Sequence, residues 1–137
     1  MESRGIHHVG VAVPDLDVAV ETYVSTFGAT LEHREVVTEQ GVEAASVLVG
    51  GSRIELLAPT GEDTPVGRFL ARRGPGVHHL AYEVDDVGLA LAGLAAGGVE
   101  LIDIVPRVGL FGLQVAFIHP DAVHGVLTEV VAVARAI

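Results

Sequence analysis

Two short stretches of this chain repeat one another, and the repetition limits the folds open to it. Ile6-His7-His8-Val9-Gly10-Val11-Ala12-Val13, followed by Pro14-Asp15, returns as Val77-His78-His79-Leu80-Ala81-Tyr82-Glu83-Val84, followed by Asp85-Asp86. At a constant offset of 71 residues Val13 falls on Val84, Asp15 on Asp86, Leu16 on Val87, Ala19 on Ala90 and Val20 on Leu91. The chain reads as one structural unit used twice. Each copy brings a pair of adjacent histidines to the same place, on a stretch whose alternation of residue types predicts a strand leading into a helix.

Strand geometry separates the two histidines of each pair. Alternate residues face opposite sides, so His7, Val9, Val11 and Val13 share one face and His8, Gly10 and Ala12 the other. In the second copy His78, Leu80, Tyr82 and Val84 oppose Val77, His79, Ala81 and Glu83. The bulky apolar faces are expected under helices. The faces of His8 and His79 carry mostly small neighbours and leave room for a ligand. His8 and His79 are therefore the candidate site residues, with His7 and His78 structural.

Between the copies the pattern continues in order. Asp15–Phe27 reads as a helix with Asp15 as N-cap and Gly28 as C-cap. Thr30–Val37, Val42–Val49 and 53–57 read as strands, joined by turns at Thr38–Gly41 and Gly50–Gly51. Thr64–Arg73 suits a helix with Pro65 at its first position and Phe69 and Leu70 inward. After the second histidine strand come a helix at 86–96, strands at 99–104, 113–118 and 125–133, and a loop over 106–112. Each half is thus β-α-β-β-β, with repeats at about 5–73 and 76–133 of a single 1–137 domain of the α+β class.

Two carboxylates interrupt this apolar pattern. Glu55 lies in Arg53-Ile54-Glu55-Leu56-Leu57 and Glu129 in Val126-Leu127-Thr128-Glu129-Val130-Val131. A buried carboxylate without a partner is costly, and a cation is one solution. Glu55 follows His8 by 47 residues, and Glu129 follows His79 by 50. Two imidazoles and two carboxylates form a mixed nitrogen and oxygen set suited to divalent Mn, Co, Ni, Fe or Zn. The competing reading pairs Glu55 with Arg53 at a sheet edge and turns Glu129 to water. Among the remaining histidines, His33 reads as a surface residue, His119 as a local hydrogen-bond partner in a turn, and His124 as a neighbour of the site.

Composition excludes other classes. The net charge of −10 argues against nucleic acid or an anionic membrane surface as a partner. There is no cysteine for disulfides or thiolate sites. No leader is expected ahead of the first strand, and no apolar run approaches the ~18–20 residues of a membrane span, so a cytoplasmic protein is expected. Glycine-rich nucleotide loops and a Ser/His/Asp order are missing.

The motifs His7-His8-Val9-Gly10-Val11-Ala12-Val13, Glu39-Gln40-Gly41-Val42, Glu55-Leu56-Leu57-Ala58-Pro59 and Arg73-Gly74-Pro75-Gly76-Val77-His78-His79-Leu80-Ala81 resemble those of the methylmalonyl-CoA epimerase family. So do Pro106-Arg107, Val115-Ala116-Phe117-Ile118-His119-Pro120 and Gly125-Val126-Leu127-Thr128-Glu129. That family sits in the vicinal oxygen chelate (glyoxalase/dioxygenase) superfamily. The resemblance implies paired βαβββ modules forming an open, curved mixed sheet around a divalent metal, usually in a homodimer. It implies His8, Glu55, His79 and Glu129 as ligands, the position of Glu55 being Gln in some relatives. It also implies an acyl-CoA substrate, and a 1,1-proton transfer through a metal-stabilised enolate that inverts the α-carbon of a malonyl-type thioester, with Glu129 as one base.

The chain departs from the family pattern in places. Some relatives carry a second base where this chain has Ala44, and Glu43 is the adjacent candidate if a bulge turns it inward. Gln114 and Asp121 replace basic residues common at the acyl-carrier end, which weakens the expected hold on CoA phosphates. Other readings of the same fold are a glyoxalase I-like isomerase, an extradiol dioxygenase, and a bleomycin-resistance type drug-binding module. The dioxygenase needs only three protein ligands, and the drug-binding modules usually lack all four.

Overall fold

The computed structural model describes residues 1–133; positions 134–137, where the expected domain ends, lie outside the described residues. The chain divides into two compact units, residues 8–78, and residues 1–7 together with the stretch from 79 onward.

The first unit takes in β1 (Gly5–Ala12) from His8 on, followed by α1 (Leu16–Phe27), β2 (Thr30–Val37), β3 (Val42–Val49), β4 (Ser52–Pro59) and α2 (Pro65–Arg73). Its strands lie in the order β2-β3-β4-β1. β1 and β4 run parallel and the other neighbours antiparallel, giving a mixed sheet. Asp15 caps α1 by accepting the Val18 N–H at 3.1 Å, and Gly28 closes it in the left-handed conformation. A cap of this kind stabilises a helix by about 1 kcal/mol. α1 covers one face of the sheet, where Leu16 and Ala19 pack against Val11, Val13, Ala45, Val47 and Leu56.

The second unit has β5 (Gly76–Glu83, entering from 79), α3 (Val87–Ala96), β6 (Arg107–Val108), β7 (Gln114–Ile118) and β8 (Thr128–Ala132). Its order is β5-β8-β7-β6, with β5 parallel to β8 and the rest antiparallel. Both units thus have one connectivity: the strand before the helix lies beside the last strand of its own unit. Asp86 caps α3 through the Leu89 N–H at 2.8 Å, matching Asp15. Val87, Ala90 and Leu91 pack on Val84, Ala116, Ile118 and Val130. The N-terminal segment joins this unit: Arg4 N–H donates to Glu83 O at 2.8 Å and its guanidinium pairs with Asp85.

The second copy differs from expectation in three places. Positions 99–104 form no strand and make only an isolated bridge, Leu101 with Ile118. The Ile102 and Asp103 N–H groups both donate to Phe117 O, at 3.0 and 3.1 Å, and Asp103 Oδ2 takes the Phe117 N–H at 2.8 Å. A side chain thus replaces the carbonyl that a strand would offer, and the ladder stops. The expected loop over 106–112 instead contains β6. The last strand starts at Thr128 rather than Gly125, because His124 and Gly125 have positive φ and Val126 N–H closes a turn onto Val123 O.

α2 runs over Pro65–Arg73, and its inward face takes in Val66 and Gly67 besides the expected Phe69 and Leu70. Val66 and Gly67 are its buried residues, and Phe69 and Leu70 are half-buried. A side chain at Gly67 would meet Gly61 O at 2.5 Å, so glycine sets how closely this helix meets the preceding loop.

Candidate functional site

Each unit buries one histidine and one glutamate on neighbouring parallel strands, on the face away from its core helix. In the first, Gly10 of β1 pairs with Glu55 of β4, and His8 lies two residues before Gly10 on the same face. His8 Nε2 approaches Glu55 Oε2 to 3.3 Å, and both residues are buried, at 3 % and 8 % exposed. In the second, Ala81 pairs with Glu129 and His79 lies two residues before Ala81. His79 and Glu129 offer ligand atoms within 4.8 Å of one another and are 3 % and 5 % exposed. Opposite each glutamate stands a small residue, Gly10 for Glu55 and Ala81 for Glu129.

The edge-pairing alternative for Glu55 fails. β4 lies between β3 and β1, so it is no edge strand. Arg53 is engaged by Glu32, with Nε and Nη2 donating at 2.8 and 2.9 Å. Burial pushes the Glu55 carboxyl up to about 7, opposed by the charge of Arg53 and reinforced by that of Glu35. His78 is half-buried, edge-on to Phe69 at 5.1 Å between ring centres, and burial lowers its pKa. It is a packing residue in its neutral form.

Around Glu55 the face is polar. Ser46 of β3 lies directly opposite and is fully buried; its Oγ donates to Glu32 Oε1 at 2.8 Å. His33 pairs with Ser46 from the other side, and Glu35 pairs with Ala44. Around Glu129 the face is aromatic and aliphatic. Phe117 of β7 lies directly opposite and meets His79 edge-on at 5.9 Å, with the Arg107 guanidinium 5.4 Å above its ring. Ala81, Val115 and Val131 form a buried cluster with Leu113 on this face.

Glu43 does not turn toward Glu55. The β3–β4 register is unbroken from Val42 to Val49, so Glu43 shares the α1 face with Ala45. There Arg34 holds it at 3.2 Å while also bonding Asp17 of α1 at 2.6 Å. The bulge lies in β2 instead, between Leu31 and His33. His119 Nδ1 accepts the Asp121 N–H at 3.1 Å, a local turn contact as expected. His33 is half-buried with Nε2 3.4 Å from Glu35 Oε1, and His124 is exposed in a left-handed turn. Sequence reading missed Glu35, Ser46 and Phe117, whose positions follow from cross-strand register rather than from local pattern.

A family profile described as the Glyoxalase/Bleomycin resistance protein/Dioxygenase superfamily matches residues 7–117. The mitochondrial methylmalonyl-CoA epimerase of Dictyostelium discoideum is 37% identical over 125 residues, covering 90% of this chain and 75% of that protein. The crystal structure of methylmalonyl-CoA epimerase from Mycobacterium tuberculosis superposes with a TM-score of 0.93 at 39% identity, covering 97% of this chain and 90% of the other. A methylmalonyl-CoA epimerase in complex with methylmalonyl-CoA and NH4+ gives 0.93 at 42% identity, with 97% and 96% covered.

Proposed function

The chain belongs to the methylmalonyl-CoA epimerase family of the glyoxalase/bleomycin resistance protein/dioxygenase superfamily, and from that premise we propose that it inverts the α-carbon of methylmalonyl-CoA or a close malonyl-type thioester with the help of a divalent metal ion. It is an isomerase of the racemase and epimerase class. The observation that carries the metal reading is the equivalence of the two His–Glu pairs. Each is buried, each joins parallel strands, and each has the glutamate opposite the residue two beyond the histidine.

The donor set fits a metal ion. Burial, reinforced by the charge of Glu35 and only partly opposed by that of Arg53, pushes the Glu55 carboxyl up to about 7, so a bound cation would relieve the cost of its charge. His8, Glu55, His79 and Glu129 are the residues that would hold the ion, and two imidazoles with two carboxylates suit Co, Mn, Ni, Zn or Fe. When bound, the ion supplies positive charge against the negative charge that develops on the substrate oxygens as the α-proton leaves.

The chain's own residues supply the rest. Glu129 acts as one acid/base at the α-carbon, on a face whose apolar neighbours Ala81, Val115 and Val131 keep water away. Phe117 fixes the edge of the His79 ring, and Arg107 above it offers positive charge for the phosphates of the acyl carrier. Arg107 is also paired with Asp103 at 2.9 Å, which lowers what it can give to a phosphate.

Two measurements test this reading. Metal analysis is expected to find one divalent ion per chain, with occupancy lost in His8→Ala/His79→Ala; full retention in that double variant overturns the ligand set. The metal-loaded protein is expected to exchange the α-hydrogen of methylmalonyl-CoA with solvent deuterium and to interconvert the epimers. A loaded protein that does neither overturns the activity.

A further inference from the structure

Inversion by 1,1-proton transfer needs acid/base groups on two faces of one carbon. Glu129 is one. The residue that some relatives use for the other is Ala44 here, 1 % exposed and without a functional group. Glu43, its neighbour in sequence, is on the opposite face of the sheet with Arg34.

Register supplies another carboxylate. Glu35 of β2 lies directly opposite Ala44 of β3. Residues directly opposed on antiparallel strands project to the same side, with Cβ atoms about 4.5–5.5 Å apart. Glu35 therefore stands on the face of Ala44, Ser46 and Glu55, opposite a residue whose side chain is a single methyl group. The bulge between Leu31 and His33 makes this so: Leu31 pairs with Val47 on the α1 face, whereas His33 and Glu35 pair with Ser46 and Ala44 on the other. An unbroken ladder from Leu31 would have put Glu35 opposite Glu43. The Glu35 side chain is 34% exposed, open enough to trade a proton with water between turnovers, and His33 Nε2 lies 3.4 Å from its Oε1.

We infer that Glu35 is the second catalytic acid/base, working from β2 in place of a carboxylate at position 44. The inference rests on the epimerase reading above. In one direction the Glu35 carboxylate takes the α-proton, forming an O–H bond as the C–H bond breaks, and the electron pair moves into the thioester to leave an enolate. Glu129 then delivers its proton to the opposite face of the same carbon; Glu35 returns its own to solvent and Glu129 regains one from it. In the other direction the two exchange roles, and no redox partner is needed. His33 is the positioning residue for Glu35.

The test uses each epimer of methylmalonyl-CoA separately in deuterium oxide with the metal-loaded enzyme. With two bases, each epimer loses its α-hydrogen to a different group. Glu35→Gln is expected to slow exchange of one epimer by about 10²–10⁴-fold, to leave exchange of the other within a few-fold, and to abolish interconversion. Metal content and thermal midpoint, read on the same samples, are expected to match the unaltered protein. Adding Ala44→Glu to Glu35→Gln is expected to restore interconversion in part, because the carboxylate returns to the same face. Exchange of both epimers at unaltered rates in Glu35→Gln, or an equal fall for both, overturns the assignment. Failure of the unaltered enzyme to exchange either epimer would instead overturn the epimerase reading itself.

Discussion

The two buried glutamates share a backbone setting and differ in everything around it. Glu55 and Glu129 each lie on a strand parallel to the one bearing their histidine, in the same diagonal relation to it. Opposite Glu55 stands Ser46, tied to Glu32 and through it to Arg53, with His33 and Glu35 along the same side. Opposite Glu129 stands Phe117, with Arg107 over its ring and an aliphatic cluster alongside. Both units keep one buried histidine and one buried glutamate in the same register. The first unit surrounds its pair with polar and charged side chains, and the second surrounds its pair with aromatic and aliphatic ones.

The largest effect expected to sharpen this contrast comes from neutralising each glutamate. Glu129→Gln removes a ligand charge and the base together, and is expected to abolish both α-exchange and epimerisation. Glu55→Gln removes a ligand charge alone. The resemblance to relatives with Gln there keeps the expected loss to about 10–100-fold, on the scale of a supporting metal-site change. Equal losses in the two variants, measured as kcat on metal-loaded protein, would break the division of roles.

A smaller contrast lies in pH. In the metal-free protein Glu55 has a carboxyl pushed from 4.5 up to about 7. A group that binds its proton more tightly when folded adds stability that is full below the unfolded value and is lost as pH rises through the folded one. The Glu55 contribution to the metal-free thermal midpoint is therefore expected to decline between about pH 4.5 and pH 7. Metal uptake runs the other way. It must displace that proton, so affinity is expected to fall as pH drops below about 7, and Glu55→Gln is expected to flatten that segment of a calorimetric pH series. A series that Glu55→Gln leaves unchanged would assign the proton to other groups.

The smallest effect is expected at Arg107, whose side chain is 41% exposed and already paired with Asp103. Arg107→Ala is expected to raise KM for methylmalonyl-CoA only a few-fold and to reduce its dependence on salt, leaving kcat nearly unchanged. A KM indifferent to both the substitution and ionic strength would detach the acyl carrier from this residue and favour a substrate without phosphates.

Much of the fold was legible because it was locally encoded. Asp15 announces its helix by chemistry that acts within three residues and is found capping it, and Thr64 and Asp86, where two further helices were expected to begin, cap theirs in the same way. The strand expected at 99–104 failed because Asp103 uses its side chain on the Phe117 N–H, a partner 14 positions away that local pattern does not reveal. The exposure of His124 was equally hidden, since the turn that carries it is closed by Gly125 N–H onto Pro120 O.

The sequence by itself determined the duplication, the four buried polar positions His8, Glu55, His79 and Glu129, and the spacing that places each glutamate beside its histidine's strand. These follow from an offset of 71 and from the cost of burying charge among apolar residues. Only the tertiary structure decided which acidic residue stands behind Ala44. Period-two reading placed the choice on Glu43 and a bulge in β3. The bulge formed in β2, one strand over, and moved Glu35 to that face while Glu43 stayed with Arg34. A single unpaired residue shifts every side chain beyond it to the other side of a sheet, and where that residue falls is settled by the partner strand.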